Sequence, residues 1–73
     1  MKVTATSTDG TTAEFSTFDK AKAWVKAHLA DYMNPTDTIG WYWNTTGDFP
    51  EEAFVMNDVG EPTDDRVMLH LHA

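Results

Sequence analysis

The spacing of the apolar residues changes twice along this chain, and this restricts the fold more than any other feature. Over residues 2–15 apolar and polar side chains alternate on both sides of Asp9-Gly10, a pattern typical of a β-hairpin with a type I′ turn. Over residues 17–32 apolar side chains recur every three or four residues, as on one face of a helix. Alternation returns after Pro35. The sequence therefore predicts a hairpin, a helix and further strands, in that order.

The predicted helix has signals at both ends. Ser16-Thr17-Phe18-Asp19 supplies an N-cap and an acid in the first turn, and Asn34-Pro35 ends the helix because proline disfavours helical backbone before it. The stripe expected to face the core comprises Phe18, Ala21, Val25, His28, Leu29 and Tyr32. Alanines at 23, 27 and 30 lie opposite, and we interpret them as good helix formers on an exposed face.

Three more strands follow the helix. Ile39, Trp41 and Trp43 share one side of the first, residues 53–57 form a shorter second, and residues 66–72 alternate clearly with Val67, Leu69 and Leu71 inward. We therefore predict an α+β fold of order β-β-α-β-β-β, with one helix packed on one face of a mainly antiparallel sheet in a two-layer sandwich. Trp41 and Trp43 are expected in the core beneath the helix.

The length sets a further limit. Seventy-three residues form a single small domain over 1–73, near the lower limit for a core without covalent or metal cross-links. The chain has no cysteine, so no disulfide can add stability and no thiolate is present as a nucleophile. Ser7 and Ser16 lack a base at suggestive spacing. We therefore predict no enzymatic activity.

The charge is unevenly distributed. The formal net charge is −7; residues 1–30 hold four lysines against three acids, whereas residues 31–73 hold nine acids against one arginine. Such a surface repels phosphate and attracts basic partners, so we predict no direct contact with nucleic acid. No apolar run is long enough to cross a membrane, and the alternating N-terminus lacks the apolar core of a signal peptide. The predicted location is the cytoplasm, with no membrane association.

Alternation leaves one sheet face uncovered if a single helix covers the other. Tyr42, Met68 and His70, joined by Phe54 or Met56, then form an open face, with the acidic loops 47–52 and 58–65 at its edges. An apolar centre with a charged rim is typical of a protein-binding surface. The residues predicted to bind a partner are Tyr42, Asp48, Glu51, Glu52, Asp58, Glu61, Asp64, Asp65, Met68 and His70. Acidic surfaces also keep small proteins soluble, and this simpler interpretation stays open.

His70 and His72 are the weak candidates for a metal site. Alternate residues of a strand point the same way, so the two imidazoles share one face. Two ligands do not make a structural site, and we predict no metal and no other cofactor. His28 is expected at the edge of the core, donating to a backbone carbonyl.

These observations favour a non-enzymatic acidic protein-interaction module that binds a basic protein. One alternative is a small inhibitor of phage or mobile-element origin that mimics DNA and occupies a basic nucleic-acid-binding groove. Another is a weak metal-binding protein. We expect a monomer rather than a homodimer, because acidic rims on two copies would repel each other.

Overall fold

Five strands and one helix follow the order that the spacing predicts. The computed structural model describes residues 2–72. Its elements are β1 (Lys2–Ser7), β2 (Thr12–Phe15), α1 (Phe18–Ala30), β3 (Thr38–Trp43), β4 (Pro50–Met56) and β5 (Pro62–His72). The strands form one sheet of order β2-β1-β5-β4-β3 in which each neighbouring pair is antiparallel. The predicted α+β two-layer fold is confirmed.

One face of the sheet and one stripe of α1 form the core. The buried apolar residues come from the helix and from the three central strands: Val3, Ala5, Ala21, Val25, Leu29, Ala53, Val55, Val67 and Leu69. Burial of this set supplies the main stabilisation of so small a chain.

The helix is slightly shorter than predicted. Thr17 is the N-cap, and its Oγ1 accepts the backbone N–H of Lys20 at 3.2 Å. The last helical residue is Ala30, and Asp31 is the C-cap. Tyr32 therefore lies beyond the helix, where its side chain is partly exposed.

The first hairpin turn differs from the predicted type I′. Gly10 has a φ of +92°, whereas neither Thr8 nor Asp9 has a positive φ, so the pair of left-handed residues that a type I′ turn at Asp9-Gly10 requires is absent. The Gly10 N–H donates to the Ser7 carbonyl at 3.0 Å, and the Asp9 carboxylate accepts the Thr11 N–H at 2.9 Å. Asp9 thus stabilises the turn through its side chain, while glycine supplies the positive φ.

Two strands begin earlier than predicted. β4 starts at Pro50 instead of Ala53, and β5 starts at Pro62 instead of Arg66. Proline is tolerated as the first residue of a strand, where its missing N–H is not required. Asp64 and Asp65, which were expected in a loop, therefore belong to β5.

Trp43 is not a core residue, contrary to the prediction from alternation. Its exposed fraction is 46%, whereas Trp41 is partly buried against the core. The helix lies across β1, β2, β4 and β5 and leaves β3 at the margin of the covered area. Trp43 instead lies beneath the Lys22 ammonium, 5.9 Å from the ring centre.

Candidate functional site

The face of the sheet opposite the helix carries a row of side chains across three strands. Tyr42 on β3 pairs with Glu52 on β4, and Glu52 pairs with Met68 on β5. The exposed fractions of Tyr42 and Met68 are 62% and 51%. This open face therefore presents two large, uncovered side chains on either side of a carboxylate.

Arg66 holds the Glu52 carboxylate in place. Its Nη1 lies 3.0 Å from Glu52 Oε1, and its Nε donates to the Thr63 carbonyl at 3.1 Å. The guanidinium also lies 6.0 Å from the centre of the Phe54 ring. One acid of the row is thus paired with the one arginine of the chain, which leaves the centre of the open face close to neutral.

Phe54 extends the apolar part of this face towards β3. It pairs with Gly40, and its ring lies directly over that glycine: a Cβ at position 40 would come within 2.7 Å of Phe54 Cζ. The missing side chain of Gly40 lets the ring lie flat on the sheet. The sequence predicted Phe54 or Met56 on this face, and the structure has both beside Gly40.

A cleft opens where β4 and β5 separate. Their pairing ends at Glu52 and Met68, and β5 continues to His72 alongside β1 only. The cleft has a volume of ≈ 390 Å³. Its lining residues are Phe49, Glu51, Met68, Leu69, His70 and Leu71. Glu51 and His70, both predicted to bind a partner, line this cleft together.

The other predicted acids lie at the two ends of the sheet. Asp48 lies in the turn between β3 and β4, where its carboxylate accepts the Thr46 hydroxyl at 2.7 Å. Asp58 and Glu61 lie in the turn between β4 and β5, at the opposite end of β4, and Asp64 and Asp65 follow at the start of β5. The ten predicted residues therefore divide into a central row, a cleft and two separate ends.

Asp9 belongs to the more acidic end and has contacts that the sequence did not reveal. Its Oδ2 accepts from His28 Nε2 at 2.8 Å and from the Tyr32 hydroxyl at 2.5 Å. Trp24 stacks on the His28 ring with centroids 4.7 Å apart. The expectation that His28 donates to a backbone carbonyl is wrong, because its acceptor is this carboxylate.

These hydrogen bonds shift two pKa values in opposite directions. The Tyr32 hydroxyl, followed by the Thr11 backbone N–H, holds the pKa of Asp9 well below its usual range. The same hydrogen bond raises the pKa of Tyr32, and the charges of Asp31 and Asp65 raise it further. Tyr32 thus lies in the combined negative field of this end of the molecule.

His70 and His72 share one face, as predicted. Their rings meet edge to face with centroids 4.5 Å apart, and His72 Nε2 lies 2.9 Å from Thr4 Oγ1. Within residues 2–72, no three histidine, aspartate or glutamate side chains converge to hold a metal ion. The geometry offers two imidazoles, one of which already has a protein partner.

Comparison with known proteins adds no relatives. No protein-family model, curated protein or solved structure matches this chain. In the described part of the chain, no helix has the length and apolar character needed to cross a bilayer.

Proposed function

We propose that this chain is a non-enzymatic, cytoplasmic, acidic protein-interaction module that binds a basic protein through the open face of its sheet. The observation that carries the proposal is the row Tyr42–Glu52–Met68, in which two large side chains are more than half exposed. Tyrosine and methionine are enriched at the centres of protein interfaces.

The charges around the row favour a basic partner. Glu52 is paired with Arg66, so the centre can be buried without leaving an isolated carboxylate. Acids at both ends of the sheet, including Asp48 and Asp58, stay at the periphery. Peripheral charges accelerate and orient association, while the central side chains contribute most of the affinity.

The proposal is tested by affinity capture on the immobilised protein and on two variants of equal charge. Met68→Lys places an ammonium at the centre of the open face, and Ala27→Lys places one on the exposed side of the helix. We expect Met68→Lys to lose a captured partner by at least about tenfold, since a central interface residue contributes about 1.4 kcal/mol or more. Ala27→Lys should retain it.

Salt and DNA distinguish the DNA-mimic alternative. A partner held by the apolar centre stays bound when salt is raised from about 50 to about 500 mM, because screening weakens only the charged periphery. A partner that is released by salt, competed by duplex DNA and indifferent to Met68→Lys would instead support DNA mimicry. Equal capture by both lysine variants contradicts binding through the open face.

A further inference from the structure

Strand β3 forms an edge of the described sheet without charge, proline or a covering strand, and the one irregularity in its pairing with β4 lies at its end, between Tyr42 and Trp43. Its six residues, Thr38–Trp43, include no charged residue and no proline. The opposite edge, β2, has only four residues and carries Glu14, whose carboxylate lies 3.5 Å from Lys2 Nζ. Natural sheets normally protect an edge by short length, charge, proline or a covering element.

The backbone N–H and C=O groups of successive β3 residues point alternately towards β4 and away from it. The Asn44 N–H donates to the Phe49 carbonyl across the hairpin at 3.0 Å, so the backbone groups of Asn44 point towards β4. By alternation Gly40 and Tyr42 also point towards β4, and Ile39 and Trp41 point away from it. No strand of the described sheet lies beyond β3. The N–H and C=O groups of Ile39 and Trp41 are thus available to another strand.

We propose that β3 pairs antiparallel with β3 of a second copy of this chain, about a two-fold axis at Gly40, which joins two five-stranded sheets into one. Alternation restricts the register to those in which outward-pointing residues oppose each other, and we choose the one centred on Gly40 because it places Asp37 of each copy beside Trp43 of the other. The facing pairs within β3 are Ile39 with Trp41 and Thr38 with Tyr42, each twice. Asp37 precedes the strand, its N–H donates to the Asn34 carbonyl at 3.0 Å, and it lies beside Trp43 of the other copy.

Charge favours a second copy at this edge despite the net charge of −7. The paired segments carry no charge, so no acid opposes another within the strands. Asp37 of one copy faces Trp43 of the other, whose ring carries the Lys22 ammonium at 5.9 Å. Asp37 Oδ2 already accepts the Asn34 N–H at 2.9 Å, so the attraction to Lys22 is one between charges and not a new hydrogen bond, and it occurs twice by symmetry. The partly exposed Trp43 rings become covered at the same time.

This association uses backbone groups at the edge and leaves Met68 uncovered, but it shares Tyr42 with the open face. Sedimentation of the protein alone measures it without any partner, so its failure is distinguishable from failure of the open-face proposal. The contact is small, so we expect a reversible dimer between about 10 and 500 µM protein. Sedimentation velocity should show the mass rising with concentration from the 8.2 kDa of a monomer towards twice that value.

A pair of double variants tests the register. Thr38→Lys with Tyr42→Lys places lysines opposite lysines and should weaken dimerisation at least tenfold, although it lowers the net negative charge of each copy. Thr38→Glu with Tyr42→Lys places opposite charges in contact and should restore the dimer. Both positions are exposed. Thr12→Lys on the other edge is the control and should leave dimerisation unchanged.

The wild-type protein provides a test that needs no variant. Amide hydrogen exchange at Ile39 and Trp41 should slow as protein concentration rises, while exchange at Gly40 and Tyr42, already paired with β4, should not change. A monomer throughout the concentration range would overturn the proposal. A dimer whose affinity does not fall in the variant with two lysines, or does not recover in the variant with opposite charges, would also overturn it. So would a dimer that forms without slowing amide exchange at Ile39 and Trp41.

Discussion

Asp9 combines two structural roles in one carboxylate. One oxygen accepts the Thr11 N–H within the hairpin turn, and the other accepts from His28 and Tyr32 near the end of the helix. The turn role could be read from Asp9-Gly10. The helix contacts could not, because they join residues 19 and 23 positions away. This single residue thus connects the first hairpin to α1.

Asp9 should make the free energy of unfolding depend on pH. Its folded pKa lies below its unfolded value, so its contribution is present above about pH 4 and is lost as pH falls through and below that value. We expect Asp9→Asn to lower the melting temperature at pH 7. The difference from wild type should shrink steadily between about pH 5 and pH 2.

Tyr32→Phe is the matched variant for this prediction. It removes the largest contribution to the low pKa of Asp9 and keeps the Thr11 N–H. Carboxyl chemical shifts measured during an acid titration should show the Asp9 pKa moving up towards its ordinary value. An unchanged Asp9 pKa would mean that the Tyr32 hydrogen bond does not persist in solution.

Gly40 and Phe54 should be energetically coupled. Gly40→Ala inserts a methyl group into the space of the Phe54 ring and should destabilise the fold by about 1 kcal/mol. In a Phe54→Ala background the remaining neighbour is Met56 Sδ at 3.2 Å, on a flexible side chain that can move, and the same change should stabilise the strand by roughly 0.5 kcal/mol. Denaturant unfolding of all four proteins measures the coupling. Additive effects would contradict the close contact.

At the scale of elements, sequence periodicity predicted the order of the strands and the helix and the type of each, because it reports which side of each element is apolar. It could not report how far a neighbouring element reaches. Trp43 shows the difference: alternation placed it correctly on the helix side, but the helix covers β3 only in part and leaves Trp43 partly exposed. Likewise β5 was predicted to start at Arg66, because Pro62 and two consecutive aspartates are typical of a loop. The strand in fact begins at Pro62.

The site was predicted less well for a related reason. Tyr42 and Met68 could be placed on the open face by alternation alone, as the structure also has them. The pairing of Glu52 with both Met68 and Arg66 required the register between β4 and β5, which no local pattern encodes.

The start of the helix offers a test between two candidate caps. Thr17 accepts the Lys20 backbone N–H, whereas Ser16 only contacts the Lys20 ammonium, at 3.4 Å. Thr17→Ala should cost about 1 kcal/mol of unfolding free energy, and Ser16→Ala should cost much less. Chemical denaturation of the two variants checks the assignment; equal losses would show that the cap is shared.

For the whole molecule, the main electrostatic feature is an acidic end. The turns after β1 and β4, the start of β5 and the end of the helix all lie there. Its acids include Asp9, Asp31, Asp58, Glu61, Asp64 and Asp65. The raised pKa of Tyr32 reflects this common field. The C-terminal end of the helix dipole adds further negative potential at the same place.

Removing a negative charge at one end of α1 should therefore change the free energy of unfolding in the opposite direction from removing one at the other end. Asp31→Asn, at the acidic end, should stabilise the fold by about 0.3–1 kcal/mol, and Asp19→Asn, in the first turn, should destabilise it by a similar amount. Both effects should diminish in high salt. Thermal unfolding at low and high ionic strength provides the measurement, and effects of the same sign would contradict the polarity.

The pairing of β1 with β5 also has a kinetic consequence. Lys2 lies opposite His72, so the centre of the sheet forms only when two segments almost a full chain length apart meet. The hairpins on either side close short loops and can form alone, but this central seam must close a very long one. Its closure is therefore expected to limit the folding rate. Until it closes, β1 and β5 both expose unpaired edges, and this interval is when the chain is most prone to aggregate.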